Sequence, residues 1–278
     1  MRKFRVSPGI IILYLFLTLV SLLWVYPFLW MFSASFKTNN DIIAGTLNLI
    51  PREFSVENYA KIWGQADFGR YFMNSVTVTV FAVLLVVAMT TLSGYVLGRY
   101  QFFGKQAALS VFIASITIPL VSTVIPVFQI IKSLGLLGKL SGLIAAQAGG
   151  THVVFIMLFS SYYKQIPKEL EEASVIDGCG FVKTFSRIML PLAKPIVLTT
   201  VIMESIWTWN SFMLPLVLTL NYPKSRTLAV GLYAFRGENI VDWGAIAAGG
   251  VLAVFPVIIG FIFCQKYFVN GVAGAVKS

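Results

Sequence analysis

Polar and apolar positions along this chain alternate on a scale of tens of residues. Charge-free stretches run over Ile10–Phe36, Tyr71–Gly98, Gln106–Ile131, Leu140–Tyr163, Pro195–Pro223 (interrupted by Glu204) and Trp243–Gln265. Each is long enough to cross about 30 Å of hydrocarbon, which takes about 20 helical residues. Apolar residues surround these stretches instead of forming one stripe, as helices in lipid require. The pattern predicts an all-α integral membrane protein with six transmembrane helices. The spans are placed at about 10–33, 72–98, 107–131, 141–163, 196–220 and 244–266 of one membrane domain, 1–278. Pro27, Pro119, Pro126, Pro215 and Pro256 fall inside spans, where proline kinks a helix without excluding it.

Composition supports this reading. The chain is 58% hydrophobic and only 12% charged, against about 25% charged in a soluble domain. The basic N-terminus resembles a signal peptide, but its apolar run is too long and no A-x-A site follows, so it is read as a retained span. The net charge of +10 could indicate nucleic acid. The basic residues are instead scattered over short loops and tails, which points to membrane topology and no nucleic-acid partner. With both termini inside, the inner face holds twelve basic residues, including Arg2, Lys3, Arg5 and Lys277, and the outer face nine. Glu238 and Asp242 are among the acids placed outside. This favours cytoplasmic termini.

The segment 164–195 breaks the pattern. Between Lys168 and Pro195 it carries four acids and four bases. Proline after Ile166 suits a helix start. Glu169, Glu171 and Glu172 sit near the positive end of the dipole, and Leu170, Ala173 and Ile176 share a face. Asp177-Gly178 predicts a break with a left-handed glycine. A second helix is predicted from Phe181 to Leu190, with Phe181, Phe185, Ile188 and Met189 on one side and Pro191 ending it. The apolar face needs cover, either from the chain's own bundle or from a soluble partner as a helix in a groove.

Glu172-Ala173-Ser174, then Gly178, then Ile188-x-Leu190-Pro191 resembles the EAA motif of binding-protein-dependent ABC importer permeases, with Ser174 at the usual second alanine. Trp207-Thr-Trp209-Asn210-Ser211-Phe212 with Pro215 resembles the fifth-span region of sugar permeases, although Ser211 replaces the usual acid or amide. Thr227–Leu232, Asp242-Trp243-Gly244, Tyr267–Gly271 and Gly274–Lys277 resemble further parts of the same carbohydrate class. Together they are similar to the smaller, second permease of maltose-type systems. The resemblance implies the type I importer transmembrane domain, in a bacterial inner membrane. It implies cytoplasmic coupling helices that carry Glu172, Ala173, Ser174, Asp177, Gly178, Ile188, Leu190 and Pro191. Glu172 would face the ATPase, and Gly178 would supply the turn. The implied partners are a second permease in a heterodimer, a cytoplasmic ATPase dimer holding ATP and magnesium, and an extracellular sugar-binding protein.

The chain is not expected to be an enzyme or to hold a cofactor. Gly98–Gly104-Lys105-Gln106 has one residue too many for a phosphate-binding loop and ends in Gln106 where Ser or Thr is needed. A single histidine makes a histidine metal site improbable, and Cys179 and Cys264 form no pattern. Candidate pathway residues are Glu204, the one acid inside a span, with Trp207, Trp209 and Asn210, whose amide and ring faces suit sugars. His152 lies toward the outer leaflet, where packing is the simpler role. Gly94-x-x-x-Gly98 allows close helix approach, within the chain or with a partner. Three other readings stay open: an ion-driven transporter using Glu204 and His152, a membrane scaffold, and an ABC permease for an amino acid, peptide or oxyanion.

Overall fold

A computed structural model describes residues 8–45, 48–65, 67–150, 152–236 and 241–276, with backbone alone from 263 onward. Arg2, Lys3, Arg5, Glu238 and Lys277, used above for orientation, lie outside the described residues, as does the Cys264 side chain. Among the described residues every regular element is a helix.

In chain order the helices are α1 (Pro8–Ala34), α2 (Asn39–Ile43), α3 (Glu57–Gln65), α4 (Phe68–Arg99), α5 (Lys105–Ile116), α6 (Leu120–Ser133), α7 (Leu140–Ala148) and α8 (Val153–Gln165). Next come α9 (Glu169–Ile176), α10 (Phe181–Thr184), a π turn (Phe185–Met189), α11 (Leu190–Leu192) and α12 (Lys194–Asn210). The chain closes with α13 (Met213–Thr219), α14 (Leu228–Tyr233) and α15 (Trp243–Val276). Among the described residues, α1, α4 and Trp243–Ile262 are each long and apolar enough to cross a membrane. Three bent pairs meet the same test when each pair is taken together.

Three of the six apolar stretches are each divided into two helices. The stretch 107–131 is two helices, α5 and α6, meeting at 109°. The cause is Pro119, which has no N–H to donate and drives the residue before it out of the helical region. The stretch 141–163 divides into α7 and α8 at Gly149-Gly150, where two glycines each cost about 1 kcal/mol in a helix. The stretch 196–220 breaks at Ser211 and Phe212. Pro215 would set its ring against the carbonyl of Ser211 if the helix continued.

Two compact units form: residues 1–69 with 231–256, and residues 70–230 with 257–278. In the first, Asn58 is the organising residue. Its buried amide donates to the carbonyls of Ser35 (2.9 Å) and Lys37 (2.8 Å). It packs where a side chain at Gly244 would stand. Asn39 donates to Val241 O and accepts from Trp243 N. Asp242 caps α15 by accepting from Ala245 N at 3.1 Å and pairs with Lys61 at 3.5 Å. Burial lowers the Lys61 pKa, but the charges of Asp242 and Glu57 outweigh it, and the value ends above that of a free lysine. The Asp242-Trp243-Gly244 sequence therefore has a local reason: a cap, a first-turn residue, and a gap for an amide.

In the second unit, Val78, Ile131, Leu143, Ala146 and Leu218 form one buried cluster. Tyr95, Phe159, Tyr163, Met189 and Ala193 form another. Asn74 holds the segment after α13 through the carbonyls of Lys224 and Arg226. Gly94 and Gly98 of α4 face α8. A Cβ on Gly94 would collide with Phe159, and one on Gly98 would lie 2.8 Å from Ser160 O. The GxxxG pair thus packs inside the chain. Gly94→Leu is expected to destabilise the protein by about 3 kcal/mol or more, since overpacking costs about 1–3 kcal/mol for smaller insertions. The thermal midpoint of the detergent-solubilised protein reads this loss.

Candidate functional site

Gly178 takes φ +76°, a left-handed conformation that glycine adopts without strain. The turn lets α9 fold back beside α10. The two helices are tied at Ser174, whose buried hydroxyl donates to Glu171 O (2.7 Å) and lies 2.9 Å from the Thr184 hydroxyl. A serine has one proton to give, so Thr184 is the donor in the second bond. Ser174 thus supplies a cross-link that an alanine could not.

Winding continues through Pro191 to Leu192, so Pro191 does not end the second helix. The π turn at 185–189 absorbs the proline: Leu190 N–H reaches back five residues to Phe185 O. Widening by one residue separates the Pro191 ring from the preceding turn. The direction changes after Leu192, where Phe181–Leu192 and α12 meet at 77°.

The element is fastened to the bundle by residues that periodicity and motif had not singled out. Arg99 ends α4, and its side chain is 4% exposed. Its guanidinium grips Glu171 through Nε and Nη2, both at 2.5 Å from Oε2. It also donates through Nη1 to Tyr163 O (3.2 Å) and Ile166 O (2.7 Å). These carbonyls lie at the end of α8, where a helix runs short of internal donors; Tyr163 O has only the Ile166 N–H besides. The Tyr95 hydroxyl donates to the other Glu171 oxygen at 2.7 Å. One clamp therefore joins α4, the end of α8 and the first turn of α9. Charge-assisted bonds of this kind are about twice as strong as neutral ones.

The same packing decides between the two covers for the apolar face of the second helix. Phe185, Ile188 and Met189 are covered by the chain itself, against Tyr95, Phe159 and Tyr163. Tyr95 lies in ring contact with Tyr100, Tyr163, Phe181 and Phe185, at centroid distances of 5.3–5.5 Å. Ile176 (84% exposed), Val182 (72%) and Val175 (66%) remain open, with Glu172, Ala173, Asp177 and Gly178 also exposed. Glu172, Ala173 and Ile176 share one side of α9 by their spacing. Leu190 is half-buried and Pro191 exposed.

Glu204 and His152 are brought together. The Glu204 side chain is buried, with Oε2 3.4 Å from His152 Nδ1 and Oε1 accepting from Thr208 at 2.9 Å. His152 Nε2 lies 3.0 Å from Gln147 O. His152 immediately precedes α8, which has 13 residues and so measures about 20 Å. The ring of Phe155 stacks on Trp207 at 5.1 Å. Trp209 meets Phe72 edge-on at 5.8 Å. Asn210 is exposed and donates to Ile206 O at 2.8 Å. Trp207 and Asn210 lie on one side of α12, just before its break at Ser211.

Residues 90–274 match the family described as binding-protein-dependent transport system inner membrane component. The chain is 36% identical over 277 residues to the probable ABC transporter permease protein YurM of Bacillus subtilis, covering 99% of this chain and 91% of that one. It is 33% identical to the diacetylchitobiose uptake system permease of Streptomyces coelicolor, over 94% of this chain and 85% of that one. It is 30% identical to the trehalose/maltose transport system permease of Thermococcus litoralis, over 93% and 94%. A solved bacterial ABC transporter involved in import of the acidic polysaccharide alginate shares the fold, with TM-score 0.79 and 24% identity, covering 93% of this chain and 95% of that one.

Proposed function

The chain belongs to the binding-protein-dependent transport system inner membrane component family, and we propose that it is one permease subunit of an ATP-driven importer of a sugar or oligosaccharide. Relatives named for diacetylchitobiose and for trehalose/maltose uptake support that cargo class. In this reading the chain crosses a bacterial inner membrane six times with both termini in the cytoplasm. A second permease completes the pathway, and an extracellular binding protein delivers the sugar. A cytoplasmic ATPase dimer holds ATP and magnesium, and this chain holds no cofactor.

The observation that carries the mechanism is the clamp of Arg99, Glu171 and Tyr95 beneath an exposed Glu172–Gly178 surface. A force applied at Glu172, Ala173 or Ile176 reaches α9, whose first turn is fixed to the ends of α4 and α8. Ser174 and Thr184 pass it to the second helix, and the covalent connection at Leu190–Pro191 passes it on to α12. The helix that receives the movement carries Glu204, Trp207, Trp209 and Asn210 and breaks at Ser211. ATP-driven closure of the ATPase thereby tilts α12 and opens the pathway outward, and hydrolysis resets it. Trp207 and Asn210 contact the passing sugar, while the Glu204–His152 pair holds α12 against α8.

Purification of the tagged chain from its native membrane tests this. A second permease, an ATPase and a binding protein should accompany it, and oligosaccharide should raise ATP hydrolysis. Stimulation by an amino acid, peptide or oxyanion would overturn the cargo. An ion-driven transporter would need the charge of Glu204. As part of an ATP-driven machine, Glu204→Gln keeps the Thr208 bond and its shape, and ATP-driven uptake should stay within about threefold. That is the size of one lost hydrogen bond, on the order of 1 kcal/mol or less. Loss of all uptake in this variant would favour the ion-driven reading.

A further inference from the structure

A cavity of about 350 Å³ opens beside the clamp, at the end of the bundle that bears α9. Its walls include Arg99, Lys105, Gln106, Leu109, Lys164 and Lys168, and no carboxylate lines it. Arg99 is matched by Glu171. Lys105 is 7% exposed and donates to Tyr100 O at 2.9 Å, which leaves an ammonium with further protons to give. Lys164 and Lys168 are exposed and make no side-chain bond or ion pair among the described residues. The start of α5, which has no side-chain cap, forms one wall and adds the positive end of its dipole. A site with three uncompensated cations and a helix start is built for a multiply bonded anion, and a phosphate fits that chemistry.

The surroundings identify the phosphate's carrier. Arg99, Lys105 and Lys164 stand at the ends of the apolar stretches of α4, α5 and α8, so the cavity lies at the depth of lipid headgroups. In the segment between α4 and α5, Phe103 is fully exposed and Phe102 partly so. Leu109 continues the cavity wall along α5 toward the hydrocarbon. A free phosphate would use the cations and have no use for these apolar neighbours. We propose that this cavity binds the phosphate of an anionic phospholipid headgroup, with its acyl chains along α5. The lipid would join Lys164 and Lys168, at the root of the α9 element, to Lys105 on α5. The proposal stands on the chain being a membrane protein and is independent of its cargo.

The test uses the purified complex containing the full chain, exchanged into nanodiscs of phosphatidylcholine with a small share of phosphatidylglycerol. Bound lipid is counted by native mass spectrometry after release. Wild type should retain phosphatidylglycerol in preference to phosphatidylcholine. Lys164→Gln with Lys168→Gln should weaken that retention on the order of 30-fold, since a basic residue near an anionic surface contributes roughly a factor of five. Lys164→Arg with Lys168→Arg should restore most of it, and the thermal midpoints of both variants should match wild type. Equal retention by wild type and the glutamine variant would overturn the proposal. So would displacement by millimolar inorganic phosphate with no lipid preference, which would assign the cavity to a free anion. Loss of ATPase association in the glutamine variant, with lipid retention unchanged, would assign it to an acidic protein segment.

Discussion

Arg99→Ala is expected to lower ATP-driven sugar uptake by tenfold or more, with the chain still inserted in the membrane. The substitution leaves the Glu171 carboxylate with only the Tyr95 hydroxyl, takes the Arg99 donor from Ile166 O and leaves Tyr163 O with only the Ile166 N–H. Removing one member of a largely buried ion pair costs about 3–5 kcal/mol. The loss falls on the joint between α9 and the bundle. The ATPase can still dock on Glu172 and Ala173, but α9 now moves without carrying α4 and α8. ATP hydrolysis by the assembled complex should therefore continue while uptake falls. Arg99→Lys keeps a charge but not the fork that holds one carboxylate and two carbonyls, so it should lie between wild type and alanine. Tyr95→Phe removes the bond to the Glu171 carboxylate together with the 3.2 Å contact to the Tyr100 hydroxyl, and should cost about 1.5–3 kcal/mol in thermal stability. Parallel assays of uptake and hydrolysis separate a broken joint from a failed assembly. A wild-type uptake rate for Arg99→Ala would remove the clamp from the mechanism.

Gly178→Pro carries the second large effect. Proline fixes φ near −65°, whereas the turn needs +76°. It also removes the N–H that bonds Val175 O at 3.0 Å. The return of α10 beside α9 cannot form, and the Ser174–Thr184 bond goes with it. Uptake should be abolished, with either poor recovery of the ATPase or hydrolysis that no longer depends on sugar. Gly178→Ala is the graded control. It keeps the N–H and carries only left-handed strain of about 1–2 kcal/mol, so partial uptake is expected. Normal uptake by the proline variant would contradict a coupling role for this turn.

The membrane character and the positions of the apolar stretches were legible because hydropathy and charge-free length are properties of composition. The turn at Gly178 was legible because only glycine takes that φ without strain. The breaks were less so. Proline in a membrane helix signals a kink, but the choice between a kink and a 109° reversal at Pro119 depends on what packs around it. The clamp was hidden for a different reason. Arg99 read as one of many flanking positive residues, and Glu171 as one of three acids in a first turn. Their pairing joins positions 72 residues apart, a contact that no local periodicity records. A better signal lay in the acids themselves. Glu171 sits a turn before Ser174 on the inward side of α9, whereas Glu172 lies beside Ala173 and Ile176 on the outward side. The cover of the apolar side of the second helix stayed open between bundle and partner because its neighbours Tyr95 and Phe159 lie far away in sequence.

The most direct test of the central claim is sugar uptake into proteoliposomes, with the co-purified complex compared with this chain alone. The complex, given its binding protein outside and ATP inside, should accumulate labelled oligosaccharide. The chain alone should take up none under a proton or sodium gradient. Uptake by the isolated chain without ATP, abolished by Glu204→Gln, would show that it is a self-sufficient, ion-driven transporter and would contradict the account.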